Sequence, residues 1–225
     1  MKKAVIFDLD GTLADTLPAM LEAINRMLDE YGEKRIGEAK MRTFINGTIE
    51  DFVRAVLPEE KRKDDKAMAQ ARAVYEKYYA VTYRQTDHCY DGIPEVLSAL
   101  KREYRLAILS NKQQDYVERL NEQLFPGEMF ALAVGAKNGI PGKPAPDSMR
   151  LLLRELGFST EEVIYVGDSD VDLLTARNAG TDCVCVSWGY RGKEYLQSIG
   201  AEHIADTPAQ LYGMIDAIAD RCVNK

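Results

Sequence analysis

The chain opens on an apolar run of strand length, Ala4-Val5-Ile6-Phe7, that stops at two aspartates one residue apart, Asp8 and Asp10, followed by Gly11 and Thr12. The period then changes. Leu17, Met20, Leu21, Ile24, Met27, Leu28 and Tyr31 recur at helical spacing, and Gly32 marks the stop. A shorter helix is expected from Ile49 to Leu57, with Ile49, Phe52, Val53 and Val56 on one face. Pro58 begins a charged run, Glu59 to Lys66, which reads as the solvated start of a long helix reaching Tyr83. Ala67, Ala71, Val74, Tyr78 and Val81 form its expected buried stripe. From residue 17 to about 84 the pattern holds helices and no strand.

Beyond that block, strands and helices alternate. Pro94 suits a first helical turn, with Val96, Leu97 and Leu100 inward. Leu106 to Leu109 is a buried strand ending at Ser110-Asn111, and Tyr116, Val117 and Leu120 mark the next helix. Ala131 to Val134 reads as a strand, then Pro146 to Leu156 as a helix closed by Gly157. Val163 to Val166 is a strand running into Gly167-Asp168-Ser169, and its helix ends at Gly180. Cys183 to Val186 is another strand, and a helix from Pro208 to about Ala219 closes the series.

Such alternation predicts an α/β fold with a Rossmann-like parallel sheet covered on both faces. The helical block separating the first strand from the others is too long for a loop, so an inserted domain is expected. The predicted division is a discontinuous α/β core, 1–15 and 86–225, and an all-helical cap, 16–85.

Composition narrows the class. A length of 225 residues at 46% hydrophobic content supports a full core, and 29% charged residues with a net charge of −7 suit a folded chain. That charge gives no help in binding nucleic acid polymers, which need clustered Lys and Arg, yet it leaves room for a small anion held by a local cation. The four cysteines, Cys89, Cys183, Cys185 and Cys222, make no CxxC pair, and His88 and His203 cannot supply a histidine-rich zinc site. The strand at Ala4 leaves no room for a signal peptide, and no run is long enough to span a membrane. A reducing cytoplasm is the simplest setting, for a monomer or homodimer.

Alternate side chains of an extended chain share a face, so Asp8 and Asp10 can lie together at the carboxyl end of a buried strand, where open α/β sheets bind ligands. Close carboxylates repel unless a cation or proton intervenes, which suits a divalent-metal and phosphoryl site. An ordinary Asp-Gly turn is the bland alternative. Other strand ends favour the first reading. Ser110 and Asn111 end the second strand, Lys143 follows the third, and Asp168, Ser169 and Asp172 follow the fourth.

Asp8-Leu9-Asp10-Gly11-Thr12, Ser110-Asn111, Lys143-Pro144 and Gly167-Asp168-Ser169-Asp170-Val171-Asp172 resemble, in order and spacing, the four motifs of the haloacid dehalogenase superfamily. The helical block resembles the cap of its phosphoglycolate phosphatase-like branch. The resemblance implies a phosphatase acting on a small phosphorylated metabolite, with Asp8 as nucleophile, Asp10 as general acid and then base, and Lys143 offsetting negative charge. Ser110 is expected to bind phosphoryl oxygens, and Asn111 either to join it or to shape the loop. Mg²⁺ is the implied cofactor, held by the Asp8 carboxylate, the Asp10 main-chain carbonyl and the Asp168 carboxylate. Asp172 is expected to orient Lys143 or metal-bound water, and Ser169 to cap a helix.

Asp10 favours ester hydrolysis over dehalogenation, which has no alkoxide to protonate. Gly167 and Met20 stand where the β-phosphoglucomutase branch has an acidic residue and a histidine, which disfavours a mutase. Substrate choice is expected from the cap, where Asn46 and Thr48 flank Gly47 and Arg42 suits a carboxylate; an ordinary interhelical turn is the alternative. Trp188-Gly189-Tyr190-Arg191-Gly192 resembles a family loop at the cleft edge. Phosphoglycolate is the leading substrate. The rival readings are a nucleotide or pyrophosphate phosphatase, a β-phosphoglucomutase-like phosphotransferase, and a non-enzymatic phosphate-binding regulatory module.

Overall fold

A computed structural model describes residues 1–45, 48–86 and 88–221, the side chain of Arg221 excepted. The chain divides into two compact units, Met1–Asp15 with His88–Lys225, and Thr16–Asp87.

The discontinuous unit is built on one sheet. Its strands are β1 (Ala4–Phe7), β2 (Arg105–Gln113), β3 (Leu132–Ala136), β4 (Val163–Gly167), β5 (Asp182–Val186) and β6 (Ile204–Ala205), in the spatial order β3-β2-β1-β4-β5-β6. Every pairing is parallel. β1 lies between β2 and β4 and is wholly buried, which its unbroken apolar sequence requires. Phe7 is level with Ile108 on one side and Val166 on the other, so β1 and β4 reach their carboxyl ends together while β2 runs on to Gln113 beside them. From β1 the strand order departs in opposite directions, the switch point at which such sheets bind ligands.

The helical unit comprises α1 (Leu17–Glu30), α2 (Glu38–Met41), α3 (Ile49–Val56), α4 (Glu59–Arg62) and α5 (Asp65–Thr82). α1 begins with a proline in its first turn and buries Leu17, Met20, Ile24, Met27 and Leu28. Helices α6 (Ile93–Leu100), α7 (Gln114–Leu124), α8 (Asp147–Leu156), α9 (Asp170–Ala179), α10 (Lys193–Ser198) and α11 (Pro208–Arg221) belong to the sheet unit. Gly157 and Gly180, at φ 75° and 78°, close α8 and α9 in the left-handed conformation that glycine adopts without strain.

Two expectations need correction, and three elements were not foreseen. The charged run does not start the long helix. Glu59–Arg62 forms its own short turn, and the Asp64 side chain accepts from the Lys66 and Ala67 amides to start α5 afresh. The stripe on α5 is Met68, Ala71, Tyr75, Tyr79 and Thr82, one position away from most of the expected set, while Val81 is 59% exposed. Aromatic area explains the rotation. Tyr75 stacks on Tyr79 at 5.5 Å and meets the Phe52 ring edge-on at 4.8 Å, burying more surface than the valines would. Finally, α2, α10 and β6 carry too little periodic pattern to register from sequence; β6 has only two residues.

This packing sets a prediction. Tyr75→Ala is expected to cost about 3–5 kcal/mol in denaturant unfolding of the full chain, whereas Val81→Ala stays within about 0.5 kcal/mol. Equal effects at the two positions would contradict the assigned face.

Candidate active site

The sheet's carboxyl edge collects charged groups that seldom share so small a volume. Asp8 follows β1, and its amide donates to Val166 at 2.8 Å, holding it level with the end of β4. Asp168 follows β4 and Asp172 lies in the first turn of α9. Asp8, Asp168 and Asp172 are 7%, 1% and 0% exposed, and one carboxylate oxygen from each lies within 4.8 Å of the others.

Lys143 enters from the loop after β3. Its Nζ is 2.9 Å from Asp8 Oδ1 and 2.7 Å from Asp172 Oδ1, and donates to Tyr165 Oη at 3.0 Å. Asn111 fixes that loop: its Oδ1 accepts from the Lys143 amide at 2.7 Å, and its Nδ2 donates to the Lys143 carbonyl at 2.9 Å. Both ends of the Asn111 amide are thus committed to Lys143, the geometry of a loop-shaping residue. Ser110 is buried beside it and its Oγ accepts from the Lys112 amide at 3.2 Å.

Asp172 is saturated. Oδ1 accepts from Lys143 and from Tyr165 Oη at 2.9 Å, while Oδ2 accepts from the Ser169 amide at 3.1 Å and Oγ at 2.6 Å. Ser169 in return caps α9 by accepting from the Asp172 amide, so one reciprocal box serves helix and site together. Asp168 Oδ2 accepts from the Tyr190 amide at 2.7 Å and Oδ1 from Thr12 Oγ1 at 3.3 Å. Trp188 donates through Nε1 to the Thr12 carbonyl at 3.1 Å, covering the turn after β1.

Sequence reasoning missed two neighbours. Lys112, 8% exposed, places Nζ 2.6 Å from Asp10 Oδ1. Its signal was its place, directly after Ser110-Asn111 at a strand's polar end. Tyr165 sits in an apolar strand run, where a buried hydroxyl must find partners and here finds Lys143 and Asp172. Among the cap candidates, Arg42 pairs with Glu38 at 2.7 Å in the helical unit, and Thr48 caps α3 through Asp51. Asn46 lies outside the described residues.

Burial is the strongest influence on the Asp8 carboxyl and raises it; Lys143 lowers it, Asp172 and Asp10 raise it, and the balance stands at about 7. Burial, then Asp172 and Asp8, push Asp168 well above the carboxylate range. For Lys143 burial alone would lower the ammonium, but Asp172 and Asp8 together outweigh it and the net shift is upward. The donor chemistry suits a hard divalent cation. Oxygen ligands crowd together with too little positive charge, and Asp8 Oδ1, buried, accepts no aligned hydrogen bond beyond its ion pair. Since Asp172 has spent its oxygens, Asp8 and Asp168 are the side chains best able to ligate.

The family model for haloacid dehalogenase-like hydrolases matches residues 5–186. The chain belongs to that family. Haloacid dehalogenase-like hydrolases generally use a divalent metal, which agrees with the acidic cluster. The chain is 30% identical over 218 residues to a phosphoglycolate phosphatase of Yersinia pseudotuberculosis, covering 96% of this chain and 93% of that protein. A solved structure from Lactobacillus delbrueckii, provisionally assigned as a phosphoglycolate phosphatase, is 32% identical with a TM-score of 0.86, covering 96% of this chain and 99% of that one. A variant of CbbY from Rhodobacter sphaeroides, solved with xylulose-1,5-bisphosphate, is 25% identical with a TM-score of 0.79, covering 94% and 96% of the two chains.

The raised Asp8 gives a pH prediction. Between the ordinary value of 3.8 and about 7, the folded protein binds more protons at Asp8 than the unfolded chain. Its contribution to stability is therefore full below about 4 and is lost as pH rises through about 7. Chelator-treated protein is expected to show this fall in its melting temperature. Added divalent cation is expected to offset it, with a larger gain at about pH 7.5 than at about pH 5, because ligands bind metal deprotonated. A gain independent of pH would count against ligation by these carboxylates.

Proposed function

We propose that this protein is a Mg²⁺-dependent phosphatase that hydrolyses a small phosphate monoester, with 2-phosphoglycolate as leading substrate, through an aspartyl-phosphate on Asp8. The observation that carries the reading is Lys143 held between Asp8 and Asp172 at one sheet edge, with Asp168 beside them. The named activity of the Yersinia relative supports the substrate class. A cytoplasmic metabolite is the expected partner.

Asp8, the Asp10 main-chain carbonyl and Asp168 are the proposed Mg²⁺ ligands, and the bound ion would offset charge on the phosphoryl oxygens. Lys143 and Ser110 hold the phosphoryl group. An Asp8 oxygen bonds to phosphorus as the ester P–O bond breaks, and the departing alcohol oxygen takes a proton from Asp10. Asp10, now ionised, takes a proton from water; the water oxygen bonds to phosphorus, the Asp8–phosphorus bond breaks, and inorganic phosphate leaves. Asp172 and Tyr165 keep the Lys143 ammonium aimed at Asp8. We assign choice among esters to the helical unit of 16–87 and, within it, to Asn46, Thr48 and Arg42.

A panel of phosphate esters with and without Mg²⁺ tests the reading. Wild type is expected to require the ion, and Asp8→Asn to lose at least about 10⁴-fold in kcat, the order seen for removing a nucleophile. Turnover surviving in Asp8→Asn would remove the covalent route, and no turnover in wild type would leave a phosphate-binding module. Asp10→Asn is expected to slow alkyl esters far more than p-nitrophenyl phosphate, whose leaving group needs no proton. For Asn46→Ala the expected result is an altered substrate ranking; equal losses on every ester would remove its selectivity role.

A further inference from the structure

The proposed hydrolysis leaves a buried cation at the site's own edge, Lys112, without a task. Lys112 projects from the end of β2, and its ammonium lies 2.6 Å from the carboxylate assigned to protonate the leaving oxygen. Its side chain is 5% exposed and that of Asp10 is 16% exposed, so the pair is poorly screened and its geometry counts. A lysine is a flexible point charge with three donors, able to hold Asp10 and accept a second anion in the same neighbourhood.

We propose that Lys112 determines specificity by binding an anionic group, a carboxylate above all, on the alcohol portion of the ester. The inference rests on the phosphatase reading and deepens it. The reason is distance. When Asp10 is within hydrogen-bond reach of the ester oxygen, anything one or two bonds beyond that oxygen comes within about 3–5 Å of a group already touching Asp10. In an ester of a 2-hydroxy acid the carboxylate stands at that place. It meets the Lys112 ammonium directly and shares it with Asp10. A neutral alcohol leaves the Lys112–Asp10 pair as it stands, and a cationic one meets repulsion.

Matched two-carbon esters test this: 2-phosphoglycolate, ethyl phosphate and 2-aminoethyl phosphate, with p-nitrophenyl phosphate as a general reporter. Wild type is expected to prefer the anionic, then the neutral, then the cationic ester. In Lys112→Met the ratio of kcat/KM for 2-phosphoglycolate over ethyl phosphate is expected to fall about 10- to 100-fold, chiefly through KM, the size of a lost charge-assisted hydrogen bond. Lys112→Arg, which keeps the charge, is expected to restore most of the ratio. An unchanged ratio in Lys112→Met would overturn the assignment and leave Lys112 a structural partner of Asp10. Should that variant not fold, the wild-type order decides, since a flat or reversed order is incompatible with a cation reading the alcohol. Failure of wild type on every ester, p-nitrophenyl phosphate included, would instead remove the phosphatase reading itself.

Discussion

One buried ammonium organises the catalytic edge. Lys143 lies against Asp8, whose carboxyl burial drives toward the neutral form, and its contacts at 2.7 and 2.9 Å bind Asp172 and Asp8 into one cluster. Removing one member of a buried pair leaves an uncompensated charge and typically costs about 3–5 kcal/mol, so every element holding Lys143 is under a common constraint. The constraint reaches far along the chain. Asn111 clamps the lysine's backbone from the end of β2, Tyr165 supplies a hydroxyl from within β4, and Ser169 turns Asp172 toward it while capping α9. The parallel register, which ends β1 and β4 at one level with β2 beside them, makes such convergence possible.

Close approach of backbone sharpens that edge. A Cβ on Gly167 would stand 2.3 Å from Asp172 Cγ, and one on Gly189 would stand 2.3 Å from Asp168 Cβ. Neither position admits a side chain without displacing an acidic group. An acidic residue at Gly167, the type the β-phosphoglucomutase branch has there, would press on Asp172 in this backbone. At Gly189 the missing side chain lets the loop come close enough for the Tyr190 amide to reach Asp168.

What could be read from sequence depended on how local the signal was. The apolar run of β1 and the polar residues ending it are adjacent in the chain, so the strand and Asp8 and Asp10 were legible together. Lys143 was legible as a residue type in a loop, but the clamp of Asn111 on its backbone spans 32 positions and needed coordinates. Lys112 stood beside a recognised motif, yet a lysine in a strand ordinarily reads as solvated surface; only the approach to Asp10 shows it inside the site. The stripe of α5 failed for a related reason. Ala71 belonged to both faces, and the choice between Val74 and Tyr75 was made by Phe52, from another helix.

Charge balance links these observations to the choice of substrate. Asp8, Asp10, Asp168 and Asp172 face two buried or half-buried ammonium groups, Lys112 and Lys143, and a divalent ion would bring the set to neutrality before any ester arrives. A phosphoryl dianion then upsets the balance, and on the proposed mechanism the proton carried by Asp10 relieves it while also preparing the leaving oxygen. A further carboxylate on the alcohol would be repelled by a site with no second cation. On the proposed assignment Lys112 is that second cation, so the ion pair it makes with Asp10 in the absence of substrate would supply the charge an acidic alcohol needs.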